Sequence, residues 1–229
     1  VIELDGPEIP ILDGSSRLFV EAINKVGVIE QEADRNYFNL PRNIAWEDEE
    51  KGIEMLAVPT DGGEFRITVM VDYNSPLLGT QHAHMYHMGD FEKEISSCRT
   101  FVFLRELIQL VNAGLIKGGD VNNAIVMADT ELSEEDKDKL ATTFERDRSE
   151  LDFVGIGILN NVNLRFENEP ARHKLLDIIG DLALVGRPIR GHILAARPGH
   201  YGNMQFSKII KKMMKAEEKA PPKYDPNLA

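Results

Sequence analysis

The segment that most constrains the fold runs from residue 165 to residue 189 and reads RFENEPARHKLLDIIGDLALVGRPI. His173, Asp177 and Asp181 follow one another at intervals of four residues, which places all three side chains on one face of an α-helix. Pro170 suits the first turn, and Gly186 suits the end of such a helix. The remaining face is apolar and predicts docking on a sheet through Leu175, Leu176, Ile178, Ile179 and Leu182.

An imidazole and two carboxylates on one edge of this helix can be interpreted in two ways. A His and an Asp four residues apart can bind one Zn²⁺ together, and carboxylates near a core are costly unless they are paired or bound to metal. The alternative is a solvated face on which His173 and Asp177 meet by chance. A catalytic zinc needs three protein ligands and an open position, so the spacing alone does not decide between them.

Composition excludes several classes of function. The formal net charge of −12 argues against a nucleic-acid partner, because such proteins need a basic face. The one cysteine, Cys98, allows no intrachain disulfide and fits a reducing compartment. No apolar run approaches the roughly 20 residues of a membrane helix, and no signal peptide opens the chain. We therefore expect a cytoplasmic protein without a membrane span.

Hydrophobic periodicity predicts an α+β fold with mostly antiparallel sheets, covered by helices on one face. The sequence suggests a strand already under way at residues 1–12, and hence a missing upstream portion. The charge-rich stretch 130–152 is interpreted as an insertion with a capped, exposed helix. The other predicted elements are helices at 18–26, 104–112, 170–185 and 209–214, hairpins at 43–59 and 153–166, and strands at 65–72, 124–128 and 191–196.

Four motifs give the chain a resemblance to a known family. They are DGPEIPILDGSS, SSCRTFVFLRELIQLVNAGLIKGG, RHKLLDIIGDLALVGRPIRGH and PGHYGN, in that order between Val1 and about Lys212. In them the chain resembles UDP-3-O-acyl-N-acetylglucosamine deacetylase, the zinc amidase of lipid A biosynthesis. The resemblance implies zinc-dependent removal of acetate from UDP-3-O-(3-hydroxyacyl)-N-acetylglucosamine. It also implies a two-domain sandwich with the first domain present only in part (residues 1–34), a second domain at 35–212, and a linker or tail at 213–229.

The resemblance implies specific roles in catalysis. His173 and Asp177 match two zinc ligands. His200 matches the histidine that, as imidazolium, protonates the leaving amine, and Asp181 matches the carboxylate that holds it. Thr100 matches the threonine that stabilises the tetrahedral intermediate. Six further side chains are implied to bind substrate, namely Asp72, Tyr73 and Arg197 at the uridine and phosphate end, Lys174 as a polar contact, and Phe101 and Phe103 near the acyl chain.

One departure from the family pattern is clear. The family takes its third zinc ligand and its catalytic base from an adjacent Glu-His pair upstream of the DGPE motif, and this sequence contains no Glu-His pair. We therefore expect an upstream segment to supply both groups. Some family members are fused to a 3-hydroxyacyl-carrier-protein dehydratase, so a tethered dehydratase after residue 229 is a further expectation.

Other histidines and the cysteine carry weaker signals. His82, His84 and His87 lie within six residues, but on a strand only the first two share a face, so we interpret them as an exposed strand and not as a zinc site. Cys98 is interpreted as a buried small residue, and His192 as packed or hydrogen-bonded. Two other functions stay open: a non-catalytic nucleotide-sugar or acyl-chain binding fragment of this fold, and a zinc amidase with a different polar substrate.

Overall fold

The larger sheet of the protein is arranged around the strand that comes last in the sequence. A computed structural model describes residues 1–113, 123–129, 133–151, 157–159 and 162–219. Within these ranges the strand order is β2-β3-β9-β4-β5, and β1 pairs with the start of β9. The strands are β1 (Phe38–Asn39), β2 (Ile44–Asp48), β3 (Ile53–Val58), β4 (Phe65–Asp72), β5 (Thr80–Met85) and β9 (Ile189–Ala196).

Strand alternation gives this sheet one buried face. In β4, Ile67, Val69 and Val71 are fully buried and alternate with more exposed neighbours, and β9 shows the same pattern. Two helices cover the buried face, α5 (Glu169–Ala183) and α6 (His200–Lys219). The helix predicted around His173 is therefore confirmed, although Leu176 and Ile179 of its apolar set are only partly buried.

A smaller sheet packs beside the larger one. It consists of β6 (Phe101–Phe103), β7 (Ile125–Ala128) and β8 (Gly157–Ile158), in that order. Its helices are α3 (Leu104–Asn112) and α4 (Glu134–Thr143), which share a core with β7. The remaining helices are α1 (Arg17–Val26) and the short α2 (Phe91–Glu94), and single 3₁₀ turns lie at Met88–Asp90 and Arg148–Glu150. The α+β prediction is confirmed, with antiparallel pairings outnumbering parallel ones among the described strands.

The charged stretch after β7 forms the helix that its sequence predicts. Ser133 caps α4, because its Oγ accepts the backbone N–H of Asp136 at 3.1 Å. Most of α4 is exposed, but Leu140 is buried in the smaller core. α4 therefore packs on the core of the smaller sheet. Residues 130–132 and 152 lie outside the described ranges.

The structure differs from two predictions about the ends of the chain. The expected strand at residues 1–12 is wrong: this segment has no regular secondary structure and is exposed throughout. Pro7 and Pro10 cannot donate to a ladder, and no described strand pairs with the segment. At the other end, α6 continues to Lys219, past residue 213 where the predicted linker begins, and Met214 is buried. Residues 220–229, and most of the predicted 153–166 hairpin, lie outside the described ranges.

None of the helices described here combines the length and the apolar composition that crossing a bilayer requires.

A tight turn ties the segment before α1 to the smaller sheet. Gly14 adopts a φ of 78°, and a Cβ there would lie 2.1 Å from the carbonyl oxygen of Asn123. The Gly14 carbonyl accepts the backbone N–H of Thr100 at 2.7 Å. Only glycine allows this close approach, so the DGSS motif has a structural reason for its glycine.

Asp13 links this turn to the segment before α5. Its carboxylate accepts hydrogen bonds from Ser15 Oγ at 2.7 Å and Arg165 Nη2 at 2.8 Å, and lies 3.3 Å from Arg17 Nη2. Burial alone would raise the pKa of Asp13, but Ser15, Arg165 and Arg17 lower it from 3.8 to about 2. The ionised form is therefore the one that the folded protein stabilises.

The lowered pKa of Asp13 gives an expected acid dependence of stability. A depressed folded-state pKa contributes stability that is fully present above pH 3.8 and is lost as the pH falls towards about 2. Asp13→Asn should therefore destabilise the protein at pH 7 by more than at pH 3, as measured by urea unfolding. Glu135→Gln, which removes an exposed ion pair with Lys139, is the matched control and should change the free energy of unfolding little at either pH. An Asp13→Asn effect of equal size at both pH values would contradict the assignment.

Candidate active site

His173 and Asp177 of α5 face each other in a nearly buried position. Nε2 of His173 lies 3.3 Å from Oδ1 of Asp177, and the two residues are 6% and 8% exposed. Nδ1 of His173 lies 3.0 Å from the carbonyl oxygen of Cys98. Because a carbonyl can only accept, Nδ1 of His173 is the donor in this contact, and Nε2 is the ring nitrogen that faces Asp177. The structure therefore brings the two predicted ligands together, with the hydrogen bond at Nδ1 that usually supports a metal-bound histidine.

Asp181 and His200 form a second pair one turn further along α5. Nδ1 of His200 lies 2.9 Å from Oδ2 of Asp181, and Nε2 of His200 lies 4.0 Å from Oδ1 of Asp177. Asn203 of α6 donates from Nδ2 to the same Oδ2 of Asp181 at 2.9 Å. The imidazole of His200 thus points its Nε2 towards the His173–Asp177 pair while its side chain stays 72% exposed.

The charges of these groups favour an anionic Asp177 and a cationic His200. Burial alone would raise the pKa of Asp177, but His173 and Lys174 more than offset it, so that this pKa lies below its ordinary value. The hydrogen bond that Nδ1 of His200 donates to Asp181 is the main cause that raises the pKa of His200, with the charge of Asp177 acting in the same direction. These shifts therefore favour the carboxylate form of Asp177 beside the protonated form of His200.

An aromatic cluster adjoins the His173–Asp177 pair. Tyr73 packs edge-on against Phe101 and Phe103, with ring centroids 5.7 and 5.4 Å away. Lys174 lies with its Nζ 5.3 Å from the Phe101 ring centroid and 2.8 Å from Oδ2 of Asp177. Burial, reinforced by the Asp177 charge, raises the pKa of Tyr73, so its hydroxyl stays neutral. Four of the predicted substrate-binding residues are therefore brought together next to the predicted ligands.

Arg197 and Asp72 lie at the carboxyl ends of the two central strands β9 and β4 of the larger sheet. Strands β4 and β9 are parallel, so their carboxyl ends meet, and the backbone N–H of Arg197 donates to the Met70 carbonyl at 2.8 Å. The Arg197 guanidinium is held by the Gly52 carbonyl and lies 3.7 Å from Glu54. Asp72 accepts the backbone N–H of Asn74 at 3.1 Å. Both side chains are thus already engaged with nearby turns.

Thr100 lies two residues after Cys98, on the segment that contacts His173. Its backbone N–H donates to Gly14, and its carbonyl accepts the N–H of Ile125 at 2.8 Å. These bonds place Thr100 at the start of β6, directly before the aromatic Phe101. The residue is half-buried, and its role at the oxyanion stays a prediction.

The weaker sequence signals behave as expected. His82 and His84 are exposed on the outer face of β5, and His87 lies beyond the strand. Cys98 is a free, fully buried thiol, and His192 Nε2 lies 2.9 Å from Thr68 Oγ1. No group of three or more His, Cys, Asp or Glu side chains is arranged to hold a metal ion in the described part of the chain. His173 and Asp177 are the two ligands that the resemblance implies, and their binding of zinc stays a prediction.

Sequence reasoning missed two residues that support the site. Asn203 is fully buried against Asp181, and Glu169 is fully buried against Arg99. Asn203 lies in the PGHYGN motif, three residues after His200, so a helix starting at His200 would have indicated it. Glu169 and Arg99 lie 70 residues apart, and no local pattern joins them.

Comparison with known proteins shows the family to which the chain belongs. The sequence profile of UDP-3-O-acyl N-acetylglycosamine deacetylase matches residues 1–155 and 151–212. The protein named bifunctional enzyme LpxC/FabZ from Chlorobaculum tepidum is 50% identical over 212 residues, which are 92% of this chain and 45% of that protein.

Two further relatives agree with this match. The bifunctional enzyme LpxC/FabZ from Porphyromonas gingivalis is 42% identical over 99% of this chain and 48% of its own length. The UDP-3-O-acyl-N-acetylglucosamine deacetylase from Chlamydia pneumoniae is 38% identical over 92% of this chain and 64% of its own length. The chain thus spans about half the length of the bifunctional relatives. The chain belongs to the UDP-3-O-acyl N-acetylglycosamine deacetylase family.

Proposed function

We propose that the protein containing this chain removes acetate from UDP-3-O-(3-hydroxyacyl)-N-acetylglucosamine in a zinc-dependent hydrolysis. The observation that carries the proposal is the convergence of His173 Nε2 and Asp177 Oδ1 beside the His200–Asp181 pair. Family membership and relatives named for this deacetylation support it. Because the chain spans about half of its bifunctional relatives, the activity is proposed for the whole protein.

The two ligands fit zinc in their chemistry. An imidazole nitrogen and a carboxylate oxygen are ordinary zinc ligands, and the bond from Nδ1 of His173 to the Cys98 carbonyl is the support that a zinc-bound histidine usually has. A catalytic zinc takes three protein ligands. We propose that the third, together with the general base, comes from an adjacent Glu-His pair outside this sequence. The chemistry that zinc supplies when bound is Lewis-acid activation of a nucleophile at neutral pH.

The residues of this chain perform the remaining steps. His200, held as imidazolium by Asp181, donates a proton to the departing amine of the sugar. The same charge, with the Thr100 hydroxyl, stabilises the oxyanion that forms when the amide is attacked. Lys174, beside Asp177, contributes a further cation at the ligand end of the site.

The substrate combines an anionic nucleotide with a fatty chain, and the site offers both kinds of surface. The aromatic cluster of Tyr73, Phe101 and Phe103 suits the apolar part or the base. Arg197 and Asp72 lie at the carboxyl ends of β9 and β4, where we propose that the uridine and phosphate end binds. The resemblance implies Phe101 and Phe103 near the acyl chain and Tyr73 near the uridine, and the three rings contact one another in one continuous apolar surface.

The setting of the reaction is also proposed. The free, buried Cys98 suits a protein of the cytoplasm. Two relatives of this chain are named as bifunctional LpxC/FabZ enzymes, which supports a tethered 3-hydroxyacyl-carrier-protein dehydratase as a second catalytic unit. A tether would keep the two active sites on one chain without requiring contact between them.

Acetate release from the acylated nucleotide sugar tests the proposal. We expect the zinc-loaded full-length protein to deacetylate UDP-3-O-(3-hydroxyacyl)-N-acetylglucosamine and to act on UDP-N-acetylglucosamine, which lacks the acyl chain, at least about a hundredfold more slowly. Binding of the acylated substrate without acetate release would show a binding module instead. Equal rates on both compounds would show an amidase with a different substrate.

A further inference from the structure

Glu169 is a fully buried carboxylate that the proposed chemistry does not use. It opens α5, one helical turn before His173, and is 0% exposed. Its Oε1 accepts the backbone N–H and Nε of Arg99, each at 2.9 Å. Its Oε2 accepts Nη2 of Arg99 at 3.0 Å and the backbone N–H of Arg165 at 2.6 Å. Four donors thus satisfy one carboxylate.

Two of these four bonds go to the main chain, and this gives Glu169 a use beyond neutralising Arg99. The bond to the Arg99 N–H fixes the peptide that joins Cys98 to Arg99. The carbonyl of that same peptide is the one that accepts Nδ1–H of His173 at 3.0 Å. The N–H and the C=O of a single planar peptide are therefore both attached to α5, one at Glu169 and the other at His173.

The same bond also lies two residues before the start of β6. Thr100 follows Arg99 directly and is anchored on its other side by the Gly14 carbonyl. Arg99 Nη2 additionally donates to the Asn163 carbonyl at 2.8 Å, so the guanidinium joins the segment before α5 to the segment before β6. A displacement of the 98–100 segment would therefore move the His173 acceptor and Thr100 together.

We propose that Glu169 is a positioning residue that holds the Cys98–Arg99 peptide against α5, so that His173 keeps Nε2 towards the metal and Thr100 keeps its place at the oxyanion. This role rests on the proposed zinc-dependent deacetylase function. It predicts that Glu169 affects metal affinity and turnover separately from any effect on folding.

The energetics agree with a retained, charged carboxylate. Burial opposes ionisation of Glu169, but the Arg99 side chain and the two backbone N–H groups lower its pKa below the ordinary value. A buried charge with this many partners is costly to leave incomplete, because each unpaired donor keeps its desolvation penalty. Glutamine at this position presents an NH₂ group towards at least one of the four donors, so it must displace the peptide or lose a bond.

The test compares Glu169→Gln with a matched ion-pair variant in the full-length protein. Glu94→Gln is the control, because Glu94 pairs with Arg172 of α5 at 3.0 Å through its side chain and does not hold the Cys98–Arg99 peptide. Zinc affinity is measured by competition with a chelator, turnover by acetate release, and folding by urea unfolding. For Glu169→Gln we expect zinc affinity to fall by about 10- to 100-fold, the usual loss for a residue that orients a metal ligand. We expect kcat to fall with it and KM to change little.

Arg99→Lys is a second variant, which tests the inference if Glu169→Gln does not fold. It keeps the positive charge at residue 99. Its lysine loses the two-pronged contact but leaves the backbone N–H bond of residue 99 to Glu169, so we expect a loss of zinc affinity of only about threefold to tenfold. Glu94→Gln should stay within about twofold of the unmodified protein in zinc affinity and kcat.

The outcomes separate this inference from the proposed function. An unmodified protein that binds no zinc and releases no acetate contradicts the proposed function itself. A zinc-binding, active protein in which Glu169→Gln lowers only the free energy of unfolding, with zinc affinity and kcat unchanged, overturns the positioning role. The same holds if Glu169→Gln fails to fold and Arg99→Lys binds zinc as the unmodified protein does, or if Glu94→Gln lowers zinc affinity as much as Glu169→Gln.

Discussion

His173→Ala in the full-length protein is expected to lose most of its bound zinc and about a thousandfold or more in turnover. Its Nε2 is the imidazole nitrogen that faces Asp177, since Nδ1 is bonded to the Cys98 carbonyl. A bound metal supplies several kcal/mol of transition-state stabilisation, and each 1.4 kcal/mol corresponds to about tenfold in rate. Asp177→Ala should behave in the same way, because it removes the facing carboxylate oxygen.

Zinc stoichiometry by elemental analysis, on protein stripped and reloaded under one protocol, gives the measurement. His82→Ala is the matched control, because His82 is an exposed histidine on the outer face of β5. It should keep its zinc and its rate. If both His173→Ala and Asp177→Ala kept a zinc content near that of the unmodified protein, α5 would not provide the zinc ligands.

His200→Ala should lower kcat by about two to four orders of magnitude while zinc stays bound, the usual loss for a general acid–base group. His200 is not one of the two buried ligands, and its side chain is largely exposed beside Asp181. Steady-state rates together with zinc content make the measurement, and His84→Ala, another exposed histidine, is the control. A kcat loss accompanied by an equal loss of zinc would make His200 a ligand instead of an acid.

The pH dependence of the rate follows from the Asp181–His200 contact. Asp181 raises the pKa of His200, and a general acid works only while protonated, so kcat should fall as the pH rises through the His200 pKa. Asp181→Asn removes the main cause of the raised value. The alkaline fall in kcat should therefore move to lower pH in that variant, and an unmoved alkaline limb would contradict the assignment.

The sequence predicts those parts of the fold whose causes are local. The helix at Leu104–Asn112 and the strand at Phe65–Asp72 are found with the bounds expected, because their apolar periodicity and flanking residues are contained in the elements themselves. The strand expected at residues 1–12 fails because a strand exists only when another strand pairs with it, which periodicity does not report.

The candidate site also has a part that local sequence predicts and a part that depends on contacts between distant segments. The spacing of His173, Asp177 and Asp181 is a property of one helix and is read directly from the sequence. The role proposed for His200 follows only from the resemblance, since its contact with Asp181 joins two helices. The Glu169–Arg99 pair and the peptide it holds depend on packing between segments 70 residues apart, and no pattern in either segment indicates the other.

The most direct test of the account is the position of zinc in a crystal of the full-length protein, located by anomalous scattering at the zinc absorption edge. We expect one zinc ion bonded to Nε2 of His173 and to a carboxylate oxygen of Asp177, at about 2.0 to 2.2 Å, with Nδ1 of His173 still on the Cys98 carbonyl. Zinc bonded elsewhere, such as to His82 and His84 on the outer face of β5, with none between His173 and Asp177, would contradict it.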